Sequence, residues 1–352
     1  DRDHLALEEV TIAEVLREAG YATFYTGKWH LGGVEFGPDR QGFESYYDPH
    51  RDSSKGSPGR GKTDGRKHAT RDLTRETNAF ITKHREQPWF AYVSYYDVHT
   101  PIIAEKEFLP HFEEKATALG PSPEPIRERD GRSRPRQDNP AYATMVRTVD
   151  RSVGAILARL NELKLTSNTV VFFFSDNGGL CTKGKPGPAC NLPLRASKGW
   201  LYEGGIRVPL LVRMPSGQPR GLVTDYPVIS TDFFPTILSL AGLEARPALH
   251  PDGADFSPIL RGVKIERRAR DLFWHYPHYH GSTWTPGAAI RSGHWKLVEF
   301  YHFGGHELYN LRDDPGEQRD RAATEPEKAR ELLAKLHAWQ KKLGAAMPVP
   351  GE

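Results

Sequence analysis

The 352 residues suffice for one large domain or two unequal ones with a substantial buried core, with no need of disulfide staples. Basic and acidic side chains nearly cancel, 48 against 45, so the net charge of +3 argues against a nucleic-acid partner, and any preference for anions must be local. Apolar residues make up 38%, and no uninterrupted apolar run approaches the roughly 20 residues of a membrane-spanning helix, which argues against a membrane span.

Thr11 and Glu14 form a capping-box pattern ahead of Ile12, Val15 and Leu16, and Gly20 stands where a helix ends, so a short helix leads into a strand at Tyr21–Thr26. The run Arg51–His68, rich in Ser, Gly, Lys and Arg, reads as an exposed loop. A helix near Asp72–His84 precedes an aromatic strand, Trp89–Tyr95, which ends ahead of Asp97, His99 and Pro101. After a polar loop containing Arg127, Arg129, Arg132, Arg134 and Arg136, apolar residues recur every three or four positions from Met145 to Leu163 and predict a long amphipathic helix. The continuous apolar run Thr169–Ser175 predicts a central strand buried on both faces, stopped by Asp176, Asn177, Gly178 and Gly179. A strand at Val208–Val212 and a helix near Asp232–Leu240 follow. Beyond Leu260, short strands at Leu272–Tyr276, Ala288–Arg291, Trp295–Phe300 and Glu307–Leu311 predict a small antiparallel sheet closed by a helix near Glu325–Lys342. The alternation of strands and helices indicates an α/β sheet, with ligands expected at the carboxyl ends of strands. A domain boundary is expected near residues 261 to 270, giving a main domain over 1–265 and a small α+β subdomain over 266–352.

Three polar clusters fall at strand ends, and a fourth adds a lysine beside paired glycines. In Gly27-Lys28-Trp29-His30-Leu31-Gly32, an extended backbone would aim Lys28 and His30 to the same side, since strand side chains repeat every two residues. His99, beyond the next strand, is a titratable imidazole that can protonate a leaving oxygen, or simply a hydrogen-bonded loop residue. Asp176 and Asn177 offer a carboxylate and an amide oxygen, hard ligands suited to Ca²⁺ or Mg²⁺, or else an Asx turn closing the strand; two such ligands are too few for a metal that takes about six to eight. Lys198 stands ahead of Glu203, Gly204 and Gly205, whose glycines permit close backbone approach. A fifth group, His275, Tyr276, His278, Tyr279, His280 and Trp284, can line a substrate pocket, suit zinc by composition, or pack as a structural strand and turn. The arginines from Arg127 to Arg136 read as solvated. Cys181 and Cys190, nine apart in a Gly/Pro-rich loop, suit either a small bridge or two free thiols.

The Gly-Lys-Trp-His-Leu-Gly run with Gly20 and Tyr21, the His99-Thr100-Pro101 and Ser175-Asp176-Asn177-Gly178 segments, the Lys198 to Pro209 motif and the Glu307–Glu317 segment occur in an order that resembles the sulfatase family over essentially the whole chain. The resemblance implies an alkaline phosphatase-like α/β fold, a large mixed sheet sandwiched by helices, with the small C-terminal antiparallel sheet beside it. It implies a hydrolase of aryl or carbohydrate sulfate esters that uses Ca²⁺, or Mg²⁺, and a formylglycine nucleophile, acting in the periplasm or after secretion on a sulfated small molecule or glycan. Asp176 and Asn177 would be metal ligands, Lys28 and Lys198 would hold sulfate oxygens, His30 would hydrogen-bond the nucleophile, and His99 would be the general acid. The family's Cys/Ser-x-Pro-x-Arg segment and its N-terminal pair of metal-binding aspartates are not found from Asp1 onward, nor is a signal peptide, so the formylglycine is expected upstream and these residues alone are expected not to turn over substrate. Two rival readings are a phosphomonoester, phosphodiester or phosphonate hydrolase on the same fold, against which Asn177 speaks, and a noncatalytic binder of sulfated glycans.

Overall fold

A computed structural model describes residues 3–49, 69–215, 221–263 and 270–349; the loop expected at Arg51–His68 lies outside them, as do residues 264–269 of the expected boundary. The capping box at Thr11 forms as anticipated. Glu14 N–H donates to Thr11 Oγ1 at 3.2 Å, Thr11 N–H donates to a Glu14 carboxylate oxygen at 2.8 Å, and the helix Ile12–Glu18 buries Ala13, Val15 and Leu16.

The strands run, in chain order, β1 (Ala22–Gly27), β2 (Ser45–Tyr47), β3 (Trp89–Ser94), β4 (Ile126–Arg127), β5 (Arg132–Ser133), β6 (Val171–Phe174), β7 (Thr182–Lys183), β8 (Leu210–Arg213), β9 (Asp271–Tyr276), β10 (Gly287–Ser292), β11 (Trp295–Phe300) and β12 (His306–Asn310). They are divided between two compact units. One comprises Asp1–Glu113, Pro140–Val171 and Val212–Glu266, the other Glu114–Asn139, Phe172–Leu211 and Arg267–Glu352.

In the first unit, β1 lies between β2 and β3 and runs parallel to both, with Phe24 opposite Ser45 on one side and Ala91 on the other. The helices Ala69–Lys83 and Pro140–Glu162 supply Phe80, Ile81 and Leu160 to a core with Ala22 and Phe24, where the Phe24 and Phe80 rings stack 4.7 Å apart. Full burial of a side chain of this size stabilises by about 2–3 kcal/mol. Strands β6 and β8, each cut by the division between the units rather than belonging to the first, pair with each other. The apolar run of β6 is half-buried rather than buried on both faces, Phe173 being 37% exposed. Such a run specifies a strand but not how many layers cover it.

In the second unit, the C-terminal sheet has the order β12-β11-β10-β9, all antiparallel, and the helix Pro326–Leu343 closes it, ended by Gly344 in the left-handed conformation. Side chains alternate between faces: Ala288, Ile290, Leu297 and Leu308 pack on Leu332 and Leu336 of the helix, while Ala289, Val298 and Tyr309 pack on Trp200 and Tyr202. Part of the arginine-rich loop is a structured hairpin, with β5 hydrogen-bonded between β4 and β7. The helix Leu109–Ala118 was also not anticipated; it buries no residue and so leaves no periodic apolar stripe to read. Among the described residues no helix is long and apolar enough to cross a membrane, and Cys181 and Cys190 are free thiols.

Candidate active site

In the first unit, β1 ends at Gly27, whose φ of +105° and closeness to β3 leave no room for a side chain: a Cβ there would lie 1.8 Å from the Ser94 carbonyl oxygen. Lys28 is held by both its backbone groups. Its N–H donates to the Ser94 carbonyl at 2.9 Å, and its own carbonyl accepts from Ser94 Oγ at 3.0 Å and from the Tyr25 hydroxyl. The strand has ended before Lys28, and His30 takes a positive φ of 45°, so strand alternation does not set the directions of these two side chains. Lys28 is half-buried and His30 exposed, with Trp29 buried between them and its Nε1 donating to the Phe36 carbonyl at 2.7 Å.

His99 is exposed five residues beyond β3. Its Nδ1 lies 2.7 Å from the Thr100 carbonyl oxygen, which can only accept, so Nδ1 carries a proton and Nε2 gains one only in the imidazolium form. Nearby, Asp97 accepts from Thr70 Oγ1 at 2.6 Å, and burial pushes its carboxyl above the usual carboxylate range.

In the second unit, Ser175–Gly179 and Lys198–Gly205 are clasped backbone to backbone. Gly178 N–H donates to the Gly205 carbonyl at 2.9 Å, and a Cβ on Gly178 would sit 1.7 Å from the Gly204 oxygen. Lys198 N–H donates to the Gly179 carbonyl at 3.4 Å. Asn191 bolts these segments together: its Oδ1 accepts from Gly179 N–H at 3.1 Å, and its Nδ2 donates to the carbonyls of Gly179, Ala196 and Gly204 at 2.7 to 3.0 Å. Asp176, Asn177 and Lys198 are thereby brought onto one scaffold. Asp176 is exposed and accepts from Asn177 N–H at 3.0 Å, one residue on, whereas the Asx turn that sequence left as an alternative would reach two residues on, to Gly178 N–H, which instead donates to Gly205. Asn177 Nδ2 donates to the Gly178 carbonyl at 2.9 Å, which leaves Oδ1 as the side-chain atom that could accept or coordinate. These donors fit Ca²⁺ or Mg²⁺ in kind and supply two oxygens; among the described residues no group of three or more His, Cys, Asp or Glu is placed to hold a metal.

The histidine group divides. His275 Nε2 donates to the Ala346 carbonyl at 2.8 Å and its Nδ1 lies 3.0 Å from the Tyr301 hydroxyl, so the ring is occupied with structural bonds. His278 is exposed, edge-on to Tyr276. Trp284 is 1% exposed in the core beside Trp200, a packing position rather than a pocket wall. His280 adjoins the lysine motif at Gly199, next to Lys198: a Cβ on Gly199 would lie 2.1 Å from its Nδ1, which already accepts from Ser282 N–H at 3.1 Å. Burial, then the charges of Lys198 and Lys183, hold His280 below the usual histidine range.

Two residues quoted within the motifs, without a role, prove to be the buried support of this loop. Glu203 N–H donates to a Glu317 carboxylate oxygen at 2.6 Å, and Lys296, fully buried, lies 3.0 Å from Glu203 and 2.8 Å from Glu317. Asn191 carried no signal beyond its place in a Gly/Pro-rich stretch.

The sulfatase family model matches residues 2–243, and that of the N-sulphoglucosamine sulphohydrolase C-terminal region matches residues 196–345. A sulfatase of Formosa agariphila is 32% identical over 276 residues, covering 72% of this chain and 46% of its own length. The N-acetylgalactosamine-6-sulfatase of Canis lupus familiaris is 30% identical, covering 74% of this chain and 50% of its own. The crystal structure of Ps i-CgsB superposes with a TM-score of 0.74 at 26% identity, over 96% of this chain and 76% of that one. The chain spans about half the length of several curated relatives it matches. With the ordered motifs, the clasped Asp176–Asn177 loop and these matches, the chain belongs to the sulfatase family and has its alkaline phosphatase-like α/β fold.

Proposed function

We propose that the protein hydrolyses a sulfate ester, of a sugar in preference to an aryl alcohol, in the periplasm or outside the cell. The observation that carries this reading is that one backbone clasp joins the segment of Asp176 and Asn177 to that of Lys198, which supports a divalent cation and an ammonium acting together on a sulfate group. The sugar preference draws on Ps i-CgsB, crystallised with k-i-k-neocarrahexaose, and on the N-acetylgalactosamine-6-sulfatase relative.

In this reading Asp176 and Asn177 hold a divalent cation, Ca²⁺ or Mg²⁺, which when bound supplies positive charge to the sulfate oxygens. Lys28 and Lys198 hold sulfate oxygens, and His30 hydrogen-bonds the nucleophile, a formylglycine contributed from upstream of Asp1. His99 protonates the bridging oxygen as the S–O bond breaks. With Nδ1 tied to Thr100, the transferred proton leaves from Nε2, so the working form is the imidazolium. The test is release of inorganic sulfate from sulfated sugars by the protein expressed from its whole open reading frame, with and without a chelator. Faster cleavage of a phosphate monoester or a phosphonate ester than of any sulfate ester would overturn the reading; tight binding of a sulfated sugar without turnover would make the protein a binder.

A further inference from the structure

In the small sheet β4-β5-β7, Ser133 and Thr182 are paired directly across β5 and β7, buried, with their hydroxyls 2.7 Å apart. Side chains alternate along a strand, so the adjoining pair, Arg132 and Lys183, faces the opposite way, and Arg127 lies directly across from Arg132 on β4. Three exposed cations thus stand in one row across three strands. Directly opposed side chains have Cβ atoms about 4.5–5.5 Å apart, where like charges destabilise a sheet. None of the three has an ion-pair partner among the described residues. The neighbouring charges do: Arg129 pairs with Glu307 at 3.0 Å and lies 4.0 Å over the Phe300 ring, Arg134 and Arg136 share Asp138, and Glu128 pairs with Arg195 at 3.0 Å. Those contacts anchor the hairpin, and the self-repelling row adds nothing to them. It borders a shallow hollow of about 290 Å³, whose lining carboxylates are the engaged Glu128 and the exposed Asp130.

The row adjoins the lysine motif through one turn. A Cβ on Gly131, at the hairpin bend, would lie 2.5 Å from Thr283 Oγ1, while His280, at the start of that turn, abuts Gly199 beside Lys198. Lys183 and Lys198 both act electrostatically on His280. We infer that the Arg127–Arg132–Lys183 row binds a second anionic group of the same glycan whose ester sulfate meets Lys198, so that the substrate class is a multiply charged sulfated oligosaccharide. This rests on the sulfatase reading and narrows it.

The test is calorimetric titration of the protein expressed from its whole open reading frame with a heparin tetrasaccharide, at low and high salt, for the parent and for Arg132→Gln combined with Lys183→Gln. The double variant is expected to bind at least tenfold more weakly, with a flatter salt dependence, while its Tm stays level or rises because repulsion is relieved. A desulfated tetrasaccharide that keeps its uronate carboxylates separates the two sources of anion. Unchanged affinity, a Tm lowered by several degrees, or equally tight and equally sensitive binding of single-stranded DNA of matched charge would overturn the inference. Because binding and sulfate release are read separately on that whole protein, binding as expected with no sulfate release sinks only the hydrolase reading, whereas sulfate release with an indifferent double variant sinks only the subsite.

Discussion

Lys296→Met tests whether the buried Glu203–Lys296–Glu317 cluster supports the motif loop. The substitution keeps the apolar stem and removes an ammonium that lies 3.0 and 2.8 Å from two buried carboxylates, leaving Glu203 with Arg207 at 3.7 Å and Arg291 at 3.9 Å. Stranding buried charge in this way costs about 3–5 kcal/mol. The pH dependence sharpens the test. Burial pushes the Glu317 carboxyl from 4.5 up to about 7, against the downward pull of Lys296. The folded chain therefore retains a proton between about pH 4.5 and 7 that the unfolded chain releases, so this group's contribution falls as pH rises through that window. The two values differ by an amount equivalent to about 3 kcal/mol. Glu317→Gln, which mimics the protonated form, should flatten that slope, and Lys296→Met should steepen it above pH 7. Urea unfolding between pH 5 and 9, followed by the fluorescence of buried Trp200 and Trp284, reads both effects. A cost below about 1 kcal/mol for Lys296→Met, or a slope unaltered by Glu317→Gln, would refute the reasoning.

Three further outcomes are expected. Gly178→Ala forces a methyl group to 1.7 Å from the Gly204 carbonyl oxygen, a backbone atom that no rotamer change relieves, and should cost at least about 2 kcal/mol by urea unfolding; a neutral result would show the clasp to be loose. Asn177→Ala should weaken calcium binding to the whole-reading-frame protein at least tenfold by calorimetry, and chelation should abolish sulfate release until calcium is restored; activity indifferent to chelator would remove the metal from the reading. His99→Gln should lower kcat on a sugar sulfate by about 10²- to 10⁴-fold and on nitrophenyl sulfate far less, since that leaving group needs no proton; equal losses on both esters would deny His99 the role of general acid.

The strands and helices that position the motifs were legible in the chain because their signals are local. Thr11 and Glu14 cap through atoms three residues apart, and the short runs at Leu272–Tyr276 and Trp295–Phe300 mark strands by their own residue types, while the assignment of β10's faces to two cores came from the structure. The ordered motifs likewise placed Asp176, Asn177 and Lys198 in one reading before any geometry was known. The directions of Lys28 and His30 were not legible, since Gly27 ends the strand through its approach to Ser94, a residue on another strand. Nor were the burial of Trp284, the roles of Asn191 and Lys296, or the cationic row, whose members lie at positions 127, 132 and 183 and meet only through sheet register. Composition and spacing determined which segments fold and which residue types are available for chemistry. Tertiary structure decided which of them touch, because a contact between distant residues depends on register and packing that no local stretch of sequence encodes.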